Sequence, residues 1–94
     1  MLFRSVSQSR YEPQEVILSF DPFQGKYIKT LPLHESQVIL KDNEQELLIK
    51  LSLYITHDFF MEVLSFGENV KVIQPESLIS DLKRTYKNVI KLYS

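Results

Sequence analysis

From residue 15 onward the chain alternates short apolar runs with amphipathic stretches. EVILSF, over 15–20, is rich in β-formers and almost wholly apolar, as expected of a central strand buried on most of both faces. It stops at Asp21-Pro22, where Asp suits a helix N-cap and Pro the first helical position. Gln24, three residues after Asp21, completes a capping box. The predicted helix DPFQGKYIKTL carries Phe23, Tyr27 and Leu31 at four-residue spacing, which makes one apolar stripe. Gly25 inside that helix costs about 1 kcal/mol relative to alanine, so its presence points to close packing on the sheet.

Pro32 ends the helix, and 37–41 reads as a second strand. DNEQ forms a turn into a third strand over 46–55, where the alternation is clear. Leu47, Ile49, Leu51, Leu53 and Ile55 fall on one face; Leu48, Lys50, Ser52 and Tyr54 fall on the other. The first set belongs under helices. The second is mixed, as on a sheet face that meets solvent or another domain. Thr56 is placed to cap a second helix, with Asp58 favourable in its first turn and Gly67 as its left-handed stop. A short strand follows over 70–74. Pro75-Glu76-Ser77 then opens a last helix reaching about Tyr93, with an apolar stripe of Leu78, Leu82, Tyr86, Val89 and Tyr93, helped by Ile79 and Ile90.

The order is strand, helix, strand, strand, helix, strand, then a helix. Two crossovers around a hairpin predict an α+β fold, the ferredoxin-like βαββαβ sandwich with an additional C-terminal helix. Residues 14–94 form this domain. Residues 1–13 show no sustained period and read as a linker or the remnant of a preceding domain, with a candidate short strand over 2–6.

Composition narrows the function classes. Ninety-four residues suffice for one domain, and 44% hydrophobic residues suffice to close one core. A formal net charge of −1 argues against a general electrostatic grip on nucleic acid. The absence of cysteine excludes disulfides and thiolate metal sites and fits the cytoplasm. No apolar run approaches the roughly 20 residues that cross a bilayer, and the start MLFRSVSQSR makes a poor signal peptide. A cytoplasmic protein without a membrane partner is expected.

Several residues have the vocabulary of chemistry. His34-Glu35-Ser36 could suggest a hydrolase, but neighbours near an extended segment diverge, and no Gly-x-Ser-x-Gly elbow exists. The sequence assigns no catalytic residue. His34 and Ser36 read instead as groups that satisfy the backbone left unpaired around Pro32. His34, Ser36 and Gln37 are also candidates for an interdomain or ligand contact. His57-Asp58 adds a second imidazole, too few for zinc, and no metal or cofactor is expected. Lys83, Arg84, Lys87 and Lys91 form a basic flank on the last helix, a solvated face or a candidate phosphate contact. Phe59, Phe60, Met61 and Phe66 exceed what one helix can bury, so Phe59, Phe60 and Tyr54 are candidates for self-association. RNA-recognition domains and acylphosphatases share the expected fold. The third strand ELLIKLSLYI lacks the aromatic signature of the former. Asp21-Pro22-Phe23-Gln24 lacks the arginine that the latter carry after their first strand.

Two segments, LSFDPFQGKYIKTLPLHESQ and VLSFGENVKVIQPESLISDL, resemble the C-terminal extension, of WCX type, that follows WYL domains in bacterial transcription regulators. Pro-Leu-His-x-Ser-Gln is the most diagnostic phrase, with Leu33 standing where many relatives carry Trp. The resemblance covers about 14–94. It implies a non-catalytic regulatory and dimerisation domain at the C-terminus of a longer regulator. Such a regulator is a homodimer. It reads DNA through an N-terminal helix-turn-helix domain and senses a nucleic-acid or nucleotide effector through the WYL domain. The alternative is a stand-alone ferredoxin-like sensor that binds a small molecule at a subunit interface.

Overall fold

A computed structural model describes residues 12–94; the candidate strand over 2–6 lies outside the described residues. The chain runs β1 (Gln14–Phe20), α1 (Pro22–Thr30), β2 (Val38–Asp42), β3 (Leu47–Leu53), α2 (His57–Ser65), a 3-10 turn (Gly67–Asn69), β4 (Val70–Gln74) and α3 (Glu76–Leu92). The strands form one antiparallel sheet in the order β2-β3-β1-β4. This is the expected α+β, ferredoxin-like sandwich with a C-terminal helix.

β1 and β3 are the two central strands, with Val16 opposite Leu51, Leu18 opposite Ile49 and Phe20 opposite Leu47. All six are buried on the face that the helices cover. Ile28 from α1, Phe59 and Val63 from α2, and Leu78 and Leu82 from α3 close over them into a single core. Phe66 completes it edge-on against Phe20, with ring centroids 5.2 Å apart. No polar side chain is buried among the described residues. The strand periodicity therefore translates directly into a two-layer structure. The third strand stops at Leu53, short of Ile55.

The opposite face of the sheet is uncovered. Glu15 meets Lys50 at 3.4 Å and Lys41 meets Glu46 at 3.7 Å, while the Ser19 hydroxyl donates to Glu46 at 2.6 Å. The two ion pairs are largely exposed, and each contributes at most about 1 kcal/mol.

The caps act as their sequence implies, with one exception. The Asp21 carboxylate accepts the Gln24 N–H at 2.7 Å, and the Thr56 hydroxyl accepts the Phe59 N–H at 3.1 Å. The Asp21 N–H, however, donates to the Asn69 carbonyl, so it takes a tertiary partner where a capping box would supply the Gln24 side chain. Gly67 adopts φ +56° just past α2, the left-handed stop its position implies.

Two apolar stripes are placed differently from expectation. Phe23, Tyr27 and Leu31 lie in solvent, Phe23 with 68% of its surface exposed, and the buried side of α1 is Gly25 and Ile28. The reason is steric. A Cβ on Gly25 would come within 3.0 Å of the Leu47 Cβ, so α1 rests on β3 through the one position that carries no side chain. With Gly25 turned down, the aromatic positions turn up. On α3 the stripe is buried at Leu78 and Leu82 but exposed from Tyr86 onward, because the helix outruns the strand beneath it.

Gly25→Val should therefore lower stability by about 1–3 kcal/mol through overpacking on Leu47. Phe23→Ala should leave stability within about 0.5 kcal/mol. Urea denaturation of the two variants checks the pair; the opposite ranking would show that α1 rests on its aromatic face.

Candidate functional site

The loop from α1 to β2 is built around a proline. Pro32 has no N–H, so the Ile28 carbonyl, four residues earlier, has no helical partner. The Gln37 side chain replaces it, donating from Nε2 to that carbonyl at 3.1 Å, and its Oε1 accepts the Leu33 N–H at 2.9 Å. The sequence alone suggests His34 or Ser36 for this role. The distances assign it to Gln37, whose longer side chain reaches back across the loop.

Ser36 and His34 serve the other end of the corner. β2 pairs with β3 so that Val38 lies opposite Lys50. Carried two residues further, that register sets Ser36 opposite Ser52. The Ser36 Oγ accepts the Ser52 N–H at 2.9 Å and so extends the ladder beyond the end of β2 with a side-chain oxygen. The Ser36 N–H in turn donates to His34 Nδ1 at 3.1 Å, and Ser36 Oγ lies 2.8 Å from the same nitrogen. Nδ1 therefore acts as an acceptor, and the neutral ring carries its proton on Nε2.

The 2.8 Å separation is that of a nucleophile and its base. The remaining requirements of a triad are missing among the described residues. No carboxylate hydrogen-bonds the imidazole, and Ser36 Oγ is already engaged by the Ser52 N–H. The pair braces a corner.

The corner borders a half-open cleft of about 360 Å³. Leu33, Leu53 and Phe59 give it apolar walls, and His34, Asp58 and Glu62 line it with polar groups. Tyr54, just past β3, also lines it and is half exposed. In the sequence Asp58 stands out only beside His57 and as a helix-dipole residue, and Glu62 reads as an ordinary exposed position. Their four-residue spacing on α2 was the available signal.

The other candidates do not converge. His57 lines a separate groove between α2 and α3 with Arg84, whose guanidinium pairs with Asp81 at 3.1 Å. No group of three metal-ligating side chains occurs among the described residues. Lys83, Lys87 and Lys91 are exposed along α3 from just past its buried Leu82 to its last turn. Of the aromatic candidates, Phe59 lies in the core, Phe60 is half buried against it, and Tyr54 is the exposed member.

The corner with Leu33, His34, Ser36 and Gln37 is the diagnostic phrase of the sequence, now seen as one hydrogen-bonded unit on a ferredoxin-like domain. The sequence pattern of the WCX domain matches residues 12–90. The chain belongs to the WCX family. A WCX domain places it with the WYL-type regulators, a family generally without enzymatic activity. A search of curated proteins finds no match for the chain. No helix among the described residues is long and apolar enough to cross a membrane.

If Gln37 is the clamp of the WCX corner, Gln37→Ala should cost about 1–3 kcal/mol, because it orphans the Ile28 carbonyl and the Leu33 N–H together. Ser36→Ala should accelerate hydrogen exchange at the Ser52 amide, whereas His34→Ala should leave that amide protected. Native-state exchange measured residue by residue checks the assignment.

Proposed function

We propose that this WCX domain is the non-catalytic, C-terminal regulatory and dimerisation module of a bacterial WYL-type transcription regulator. In this reading a helix-turn-helix domain of the same regulator contacts the promoter. A WYL domain binds the nucleic-acid or nucleotide effector. The WCX domain relays the bound state by docking its cleft against a neighbouring domain.

The observation that supports this reading is the division of labour at the corner. Gln37 and Ser36 are taken up by internal hydrogen bonds that hold the loop rigid. What is left beside the apolar-walled cleft is the Nε2–H of His34, the half-exposed ring of Tyr54, and the carboxylates of Asp58 and Glu62. A rigid apolar hollow with a polar rim and an exposed tyrosine suits a contact surface. It offers no activated nucleophile or convergent acid–base pair. In this reading Tyr54, the exposed aromatic candidate, serves self-association.

Two measurements test the reading. In the complete regulator, His34→Ala and Glu62→Ala, both in the cleft lining, should leave promoter affinity without effector unchanged and remove the effector's influence on it. An unaltered effector response in both would sink the docking claim. Light scattering on the 94-residue chain at high concentration should give twice the chain mass, returning to the monomer value for Tyr54→Asp. A chain that stays monomeric would sink the dimerisation claim.

A further inference from the structure

The last turns of α3 hold an apolar stripe in solvent that no other described residue covers. α3 is about 25 Å long, against about 17 Å for the neighbouring β4, so the helix continues well past the sheet. Ile90 and Tyr93 are 65% and 85% exposed. The surface is concave: Tyr86, Val89 and Ile90 form one wall, and Gly67 and Glu68 the other, of an almost wholly apolar groove of about 350 Å³. The Tyr86 hydroxyl donates to the Leu64 carbonyl at 3.4 Å, which ties the helix to the end of α2 and holds the groove in shape.

Charge decides what fits there. Lys83, Lys87 and Lys91, four residues apart, form a row along one flank of the stripe, while Thr85, Asn88 and Leu92 leave the other flank uncharged. Residues 82–94 contain Lys83, Arg84, Lys87 and Lys91 and no acidic residue. The three lysines of the row have no ion-pair partner among the described residues. A second copy docked stripe to stripe about a two-fold axis does not neutralise them. Antiparallel helices would set lysine row against lysine row, and parallel helices would set each row against the uncharged flank. Head-to-tail docking of copies would give a ring or an open chain of subunits, not a pair. An anionic bilayer would attract the row, but a flat surface does not fill a groove whose far rim carries Glu68.

We infer that this groove docks an amphipathic helix of another polypeptide, with large aliphatic residues along one face and carboxylates along the flank that meets the lysine row. The helix-in-groove mode supplies what the site lacks: apolar side chains between Tyr86, Ile90 and Gly67, and counter-charges for Lys83, Lys87 and Lys91. The groove lies on the outer turns of α3 and is distinct from the cleft beside His34, so the inference stands apart from the function proposed above.

The test uses the 94-residue chain and a synthetic amphipathic helical peptide with leucines on one face and glutamates along one flank. Titration should shift the backbone amide resonances of Gly67, Tyr86, Val89 and Ile90, with affinity falling as salt rises. Ile90→Asp, at a largely exposed position and so compatible with folding, should weaken binding by about tenfold or more, the effect of losing one buried anchor. The K83E/K87E/K91E variant should lose the glutamate peptide and gain the same peptide with lysines in place of the glutamates. Equal binding of the two peptides by the unaltered chain, or no shift at the four amides, overturns the inference. So do three other outcomes: self-association that Ile90→Asp abolishes, adsorption to phosphatidylglycerol vesicles that Ile90→Asp abolishes, and a single-stranded oligonucleotide that shifts the same four amides.

Discussion

The pairing of β1 with β3 is the interaction on which the rest of the domain depends. Both strands present only aliphatic or aromatic side chains to one face, and the register stacks them as Val16 on Leu51, Leu18 on Ile49 and Phe20 on Leu47. All of these must leave water together, because a register slip of one residue would exchange them for Glu15, Ile17, Ser19 and Lys50. Among the described residues helices provide the cover, so α1, α2 and α3 lie on that face, and the charged lattice of Glu15, Lys50, Lys41 and Glu46 lies on the other. The antiparallel order β2-β3-β1-β4 follows from placing two crossover helices on the same side.

Gly25 shows how a single position sets the orientation of a whole element. The helix lies close to β3 because nothing projects from Gly25 toward Leu47. That approach helps bury Ile28 and fixes where α1 ends, hence where the Ile28 carbonyl meets the gap left by Pro32. Gln37 fills the gap, and its position places Ser36 across from Ser52. The diagnostic corner of the WCX domain is thus the consequence of a helix seated on its glycine. The hydrogen bonds there hold geometry, and they leave the His34 ring beside a cleft walled by Leu33, Leu53 and Phe59.

The domain is unevenly finished. Its core is fully apolar and has no unsatisfied buried side-chain polar group among the described residues. Among the described residues its exterior leaves in solvent the aromatic stripe of α1 and the outer turns of α3, apolar surfaces that an isolated domain has no folding reason to keep. A module that works as part of a larger regulator has such a reason, since contacts to other domains or chains bury what its own fold leaves in solvent.

Signals confined to a few neighbouring residues were legible in the sequence. The alternation of 46–55, the cap at Thr56, the glycine stop at 67 and the Pro-Leu-His-x-Ser-Gln corner each depend on residues within about four positions of one another, and each element exists there, the third strand ending at Leu53 short of Ile55. The close packing implied by Gly25 was legible too, although its partner Leu47 was not. Tertiary structure alone decided which side of α1 goes down, because an apolar stripe and a glycine compete for the sheet and only the space above Leu47 chooses between them. It alone decided that the stripe of α3 is half buried, because that depends on the length of a strand elsewhere in the chain. It alone gave Gln37 the carbonyl of Ile28 and Ser36 the amide of Ser52, since a periodic pattern reports which face a residue shares and is silent on what stands opposite.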